Sequence, residues 1–146
     1  MIEVGVTSTV KTRLDRKLLE KAAALALQTL GSAQASIAVI GDRRMRGLNR
    51  DALGHDYVTD VLSFDHGDSP EGRIVEIIVC APHAQRQAHK RKLPVKQELA
   101  RYVIHGALHC AGYDDHTEDQ RAEMWTQQEK LMRKLFGKSY RETTAG

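Results

Sequence analysis

The sequence predicts a single α/β domain (α+β in class), with about five helices and about four strands in a mixed sheet. Three observations carry that prediction. At 146 residues and 16.3 kDa the chain has the size of one hydrophobic core. Stretches of period-two apolar alternation are interleaved with stretches whose apolar residues recur at three and four. Gly, Pro, Asp and Thr mark the changes between them. With 41% hydrophobic and 28% charged residues, the composition suits a globular chain and excludes a disordered, collagen-like or fibrous one.

The elements follow in order. Ile2, Val4 and Val6 alternate with polar or small neighbours, the pattern of a short half-buried strand ending near Thr9. Asp15 is placed to cap a helix whose apolar positions are Leu18, Leu19, Ala22, Leu25, Ala26 and Leu30, with Gly31 at its carboxyl end. Ser36 to Ile40 reads as a strand, and Asp42 is placed to cap a short basic helix, Arg43 to Ala52, with Met45 and Leu48 turned inward. Val58 to Phe64 and Ile74 to Cys80 read as strands that pair as a hairpin, with Gly67, Asp68, Ser69 and Pro70 as the turn. Pro82 opens a helix to Lys92, and Pro94 precedes a longer one, Val95 to Ala111, that stops at Gly112. Thr117 and Gln120 form a capping box for a last helix with Met124, Leu131, Leu135 and Phe136 as its apolar stripe. The domain is therefore expected over 1–136, with 137–146 a flexible tail.

Net charge is small, 22 − 19 = +3, but unevenly laid out. Arg43 to Arg50 holds four arginines and no acid, Asp51 to Glu76 holds seven acids against Arg73 alone, and Ile77 to Gln97 is again purely basic. Such blocks are solvated helix faces, or a polyanion-binding patch beside a cation site. No apolar run reaches the roughly 20 residues of a membrane-spanning helix, and Met1 to Lys11 lacks signal-peptide character, so a cytoplasmic location is expected. Two cysteines, Cys80 and Cys110, are too few for a disulfide framework and are expected as buried free thiols.

The informative stretch is His105-Gly-Ala-Leu-His109-Cys-Ala-Gly112-Tyr113-Asp114-Asp115-His116. Histidines at i and i+4 on a helix point to one side, one turn apart, at the separation a single divalent metal bridges. Gly112 ends the helix and turns the chain back, bringing Asp115 or His116 toward the same ion. Three protein ligands leave one position open, which in zinc sites marks catalysis by a metal-activated water. The structural alternative is two core histidines satisfied by backbone carbonyls. A His-Glu-x-x-His peptidase carries its general base directly after the first histidine; that position is Gly106, which has no side chain to take a proton. Cys110 sits about 100° around the helix from His109 and is expected to face the core.

The chain resembles the YbeY endoribonucleases, metal-dependent rRNA maturation factors of bacteria. The resemblance rests on His105-Gly-Ala-Leu-His109-Cys-Ala-Gly-Tyr-Asp, on Thr59-Asp-Val-Leu-Ser-Phe64 preceded by Leu48-Asn49, and on the order of elements from about residue 2 to 136. It implies a zincin-like fold, one zinc per chain, single-stranded RNA as substrate, and a role with the ribosome in processing the 3′ end of small-subunit rRNA and in ribosome quality control. The family places its third metal histidine six residues after the second; that position is Asp115, with His116 one further on. The implied ligand set is His105, His109 and Asp115, and the anionic third ligand lowers the site's net charge from about +2 to about +1. The family carries an arginine important for cleavage where this chain has Leu53, and its usual tyrosine is replaced by Ala52, with Arg50 or His55 nearby to compensate.

Two functions of different class follow. The first is a zinc-dependent endoribonuclease, with no side chain assigned as catalytic beyond the metal-activated water. Arg86, Lys90, Arg91 and Lys92 steer RNA by salt-sensitive phosphate contacts, and Asp60 and Ser63 border the cleft. The second is a metal-stabilised, ribosome-associated RNA-binding protein with weak or no cleavage, since Leu53 removes a cation.

Overall fold

A computed structural model gives the fold and describes residues 1–142. In chain order the elements are β1 (Ile2–Ser8), α1 (Arg16–Leu27), β2 (Ala33–Ile40), α2 (Asp42–Leu53), β3 (Val61–Ser69), β4 (Gly72–Cys80), α3 (Ala81–Arg91), α4 (Val95–Cys110) and α5 (Glu118–Phe136). The sheet order is β1-β2-β4-β3, with β1, β2 and β4 parallel and β3 antiparallel to β4, so the expected mixed sheet of four strands and the hairpin are both present.

Alternation along β4 sorts the core. Val75, Ile77 and Val79 face the main cluster with α1, α4 and α5. Ile78 and Cys80 face a smaller one closed by Leu62 and by Met45 of α2. The helix ends follow their sequence signals. Asp15 Oδ1 accepts from the Leu18 amide at 3.1 Å, and Thr117 and Gln120 make both halves of the capping box. Gly72 has φ +107°, and a Cβ there would lie 2.5 Å from the Ser32 carbonyl carbon, so the hairpin return requires glycine.

Three expectations are corrected. Gly41, not Asp42, is the amino-terminal cap of α2; Asp42 is the first helical residue, and its carboxylate is taken by Arg86 at 2.8 and 2.9 Å. β3 starts at Val61, because Asp60 folds its carboxylate back to accept the Val61 amide at 2.8 Å, and it runs to Ser69 through an irregularity between Asp65 and Asp68. The reversal therefore falls at Pro70 and Glu71. The chain beyond Phe136 is not frayed at its start. Gly137–Ser139 form one 3₁₀ turn, Tyr140 packs on the main core, and the Gln97 amide spans the Arg141 backbone at 2.6 and 3.1 Å. Residues 143–146, the rest of that tail, lie outside the described residues. Among the described residues no helix is long and apolar enough to cross a membrane.

Candidate metal centre

Helix α4 positions the centre. Leu99, Val103, Ile104, Ala107 and Leu108 are buried in the main core, which fixes the helix rotation and leaves His105 and His109 on the remaining, partly exposed side. Gly106 sets its distance from the sheet: a Cβ would lie 3.0 Å from Val61 Cγ2 and 3.2 Å from Ile77 Cγ2. The position that would hold a peptidase's base is thus a point of close helix-to-strand contact. The helix ends in a Schellman arrangement, with the Tyr113 amide on the Leu108 carbonyl at 3.0 Å and the Gly112 amide on the His109 carbonyl at 3.2 Å. Gly112, at φ +105°, turns the chain back over the helix end.

That turn brings Asp115 to the two histidines. His105 Nε2 and His109 Nε2 are 3.2 Å apart, and Asp115 Oδ2 lies 3.4 Å from His109 Nε2 and 3.9 Å from His105 Nε2. Ligands about 2.0–2.1 Å from a tetrahedral ion sit roughly 3.4 Å from one another. The three side chains therefore fit a single metal ion, as two imidazoles and a carboxylate. His116 is left outside, its side chain 80% exposed and nearest to Asp114.

Behind the cluster stands a buried polar chain. Gln128 Oε1 can only accept, so His105 Nδ1, 3.0 Å away, carries the proton and Nε2 presents its lone pair to the cluster. Gln128 Nε2 donates to Glu129 Oε2 at 3.3 Å, and Arg101 Nη1 donates to that same oxygen at 2.8 Å. Tyr140 donates to the other Glu129 oxygen. Burial, with His109 adding to it, holds the His105 imidazole below its usual pKa against the Gln128 bond, which keeps it neutral as a ligand must be. Cys110 turns to the core as a buried free thiol, pushed up to about 11 by burial.

Two cavities flank His105 and share Trp125 and Gln128 as walls. One, of about 540 Å³, runs past Asp115, Glu118 and Arg121. The other, of about 370 Å³, runs past Asp60, His83 and Arg91. Of the four basic residues read from the sequence, Arg91 lines this groove, while Lys90 and Lys92 are exposed at the end of α3. Arg86 is tied to Asp42, whose carboxyl it holds below the usual range. Leu53, the last residue of α2, is 54% exposed. Arg50 beside it bonds Asp51 at 3.2 Å, and His55 stacks on Tyr57. Ser63 packs under Gly106 in the contact between helix and sheet. Sequence reasoning missed Gln128, Glu129, Arg121 and Trp125. For Gln128 a signal existed: it stands four residues after Met124, a polar side chain on an apolar stripe.

A family model described as endoribonuclease YbeY matches residues 4–136. A Chlorobium luteolum protein named endoribonuclease YbeY is 32% identical over 139 residues, covering 92% of this chain and 99% of its own length. A Chlorobium phaeovibrioides protein of the same name is 37% identical over 136 residues, 90% of each chain, and one from Halalkalibacterium halodurans is 34% identical over 145 residues, 90% of this chain and 91% of its own. A Thermotoga maritima protein solved in solution superposes with a TM-score of 0.65 at 27% identity, covering 94% of this chain and 90% of that one. With its ligand cluster and groove, and at this similarity over nearly its whole length, the chain belongs to the YbeY endoribonuclease family.

Proposed function

We propose that this protein is a zinc-dependent, single-strand-specific endoribonuclease that matures the 3′ end of small-subunit rRNA and acts in ribosome quality control in the cytoplasm. The observation that carries the reading is the convergence of three potential ligand atoms within 3.2–3.9 Å, with His105 and Asp115 of the three lining an open groove, in a chain of this family. His105, His109 and Asp115 would hold the ion, one per chain. Zinc, when bound there, would supply Lewis acidity and lower the pKa of water. The chain's own groups do the rest. Gln128 fixes the His105 ring and its tautomer. Arg91 and Arg121, on opposite arms of the groove, supply positive charge to phosphates either side of the cluster. Arg121 also donates to the Asp115 carbonyl at 3.3 Å, so the same side chain steadies the ligand loop.

One observation favours the second reading, an RNA-binding protein with weak cleavage: the exposed side chain at position 53 is apolar where the resemblance implies a cation. Metal content by elemental analysis, with chelator-controlled cleavage of an rRNA fragment, separates the two. One zinc per chain, lost in Asp115→Ala and kept in His116→Ala, with cleavage abolished by chelator, is the expected result. Zinc and RNA binding without cleavage would establish the binding protein, and no stoichiometric metal would return the histidines to a structural role.

A further inference from the structure

Trp125 is the one tryptophan of the chain, and it stands where the two cavities meet. A large aromatic at the centre of α5 would be expected in the core, yet the core side of this helix is filled by Met124, Gln128, Leu131 and Met132, and Trp125 is only half-buried. Its ring is held from beneath. The Arg101 guanidinium carbon lies 6.0 Å from the ring centroid, and Arg101 is itself 5% exposed and bonded to Glu129 at 2.8 Å. A buried, ion-paired arginine has little freedom, so the indole it supports is fixed in advance of any ligand.

The groove beside the ring is of ligand size, about 540 Å³ on one side and 370 Å³ on the other. Its two ends differ from its middle. Arg91 and Arg121 lie on opposite arms, with His105 and Trp125 between them. Glu118, and Asp115 itself, are the acids on the Arg121 arm; Asp60 lines the other, where Arg91, its side chain 42% exposed, also reaches the buried Glu98 at 3.8 Å. Positive charge spaced along a groove, with a rigid aromatic between, is the layout that binds single strands: phosphates meet the cations and a base stacks on the ring.

We infer that Trp125 is a substrate-binding platform, on which one base of single-stranded RNA stacks beside the metal centre and so sets which phosphate is presented to it. The inference rests on the endoribonuclease reading and adds to it the side chain that registers the strand. A stacked base requires no particular hydrogen-bonding edge, so this contact favours unpaired over paired RNA without selecting a sequence.

Because Trp125 is the only tryptophan, its fluorescence reports on this position alone. The test uses the metal-loaded protein and a cleavage-resistant hexanucleotide with 2′-O-methyl phosphorothioate linkages, beside an abasic hexamer of equal charge. Binding is read by anisotropy of a label on the oligomer and, separately, by tryptophan emission. The base-bearing hexamer should quench or shift the emission saturably, with the midpoint of the anisotropy curve, and the abasic one should not. Trp125→Ala should weaken the base-bearing hexamer roughly 5- to 150-fold, the range of alanine replacements at stacking aromatics, and leave the abasic one unchanged. Trp125→Phe, which keeps a ring over Arg101, should retain most of the affinity and guards against loss of fold in the alanine variant. Tight hexamer binding with emission unmoved, or with equal affinity in Trp125→Ala, would overturn the platform while leaving the endoribonuclease reading intact. No anisotropy rise with either oligomer would overturn both.

Discussion

Replacing Gln128 with leucine should separate the proposed metal ligands from what orients them. Gln128 is 3% exposed and makes two bonds, His105 Nδ1 to Oε1 at 3.0 Å and Nε2 to Glu129 at 3.3 Å. Leucine has similar bulk but neither polar group. His105 then loses the acceptor that holds its proton on Nδ1, and part of the population carries it on Nε2, where no metal can bind. Loss of such a partner lowers metal affinity about 10- to 100-fold, or about 1.4–2.8 kcal/mol. The cost to folding should be smaller. Glu129 keeps Arg101 and Tyr140, and a His105 ring that passes its proton to Nε2, on the side of the cluster, leaves no N–H buried against the leucine. The low end of the penalty for an unpaired donor, about 1 kcal/mol, then applies to the metal-free protein, a fall of about 4 °C in Tm for a domain of this size. Zinc affinity would be measured by competition with a chromophoric chelator, and Tm by circular dichroism on metal-free protein. A zinc affinity within twofold of wild type in a folded Gln128→Leu protein would refute the argument that this amide sets the tautomer.

Three further outcomes follow from the same structure. Gly106→Ala should destabilise by about 1–3 kcal/mol in urea unfolding, because its methyl would meet Val61 and Ile77 at 3.0 and 3.2 Å, and an unchanged midpoint would show that α4 can shift freely. Leu53→Arg, at an exposed helix end, should leave Tm unchanged and raise cleavage of a single-stranded rRNA fragment, by up to about 10²- to 10³-fold if the cation acts as an oxyanion donor does; equal rates would remove position 53 from the reaction. Burial pushes the Cys80 and Cys110 thiols up to about 11 from an ordinary 9.0. Both thiols are neutral when folded but ionise earlier when unfolded, so their stabilisation is complete below about pH 9 and lost as pH rises toward 11. The loss is of order 2 kcal/mol each. Urea midpoints at pH 8 and 10.5 should show the decline, and a Cys80→Ala, Cys110→Ala protein should show less of it.

What the sequence made legible was local. His105 and His109 share a helix face by spacing alone, Gly112 stops that helix because only a left-handed residue closes it, and Thr117 and Gln120 cap the next one across three residues. Each depends on neighbours within a turn or two. The groove depends on distant partners. Gln128 meets His105 across 23 residues, and Arg86 takes Asp42, the first helical residue rather than the cap of α2, across 44. Asp60 bonding its own strand's first amide set back the start of β3, a choice that β-propensity in Val58 does not record. Trp125 stands next to Met124 but off its apolar stripe, and its place on the groove wall depends on the helix rotation, which local spacing does not set.

The docked segment after Phe136 changes where this protein can be cut. The span matched to the family ends at residue 136, and the three residues that could hold a metal ion lie inside it. Yet Tyr140 grips the carboxylate of Glu129, and Gln97 clasps the backbone of Arg141. A truncation at the family boundary would keep His105, His109 and Asp115 while taking away the outer support of the carboxylate that steadies Gln128, and with it the ring of His105. The working edge of the centre therefore lies at least five residues past the edge drawn by similarity, and a shortened protein that binds zinc loosely would be reporting its missing end, not a defective ligand set.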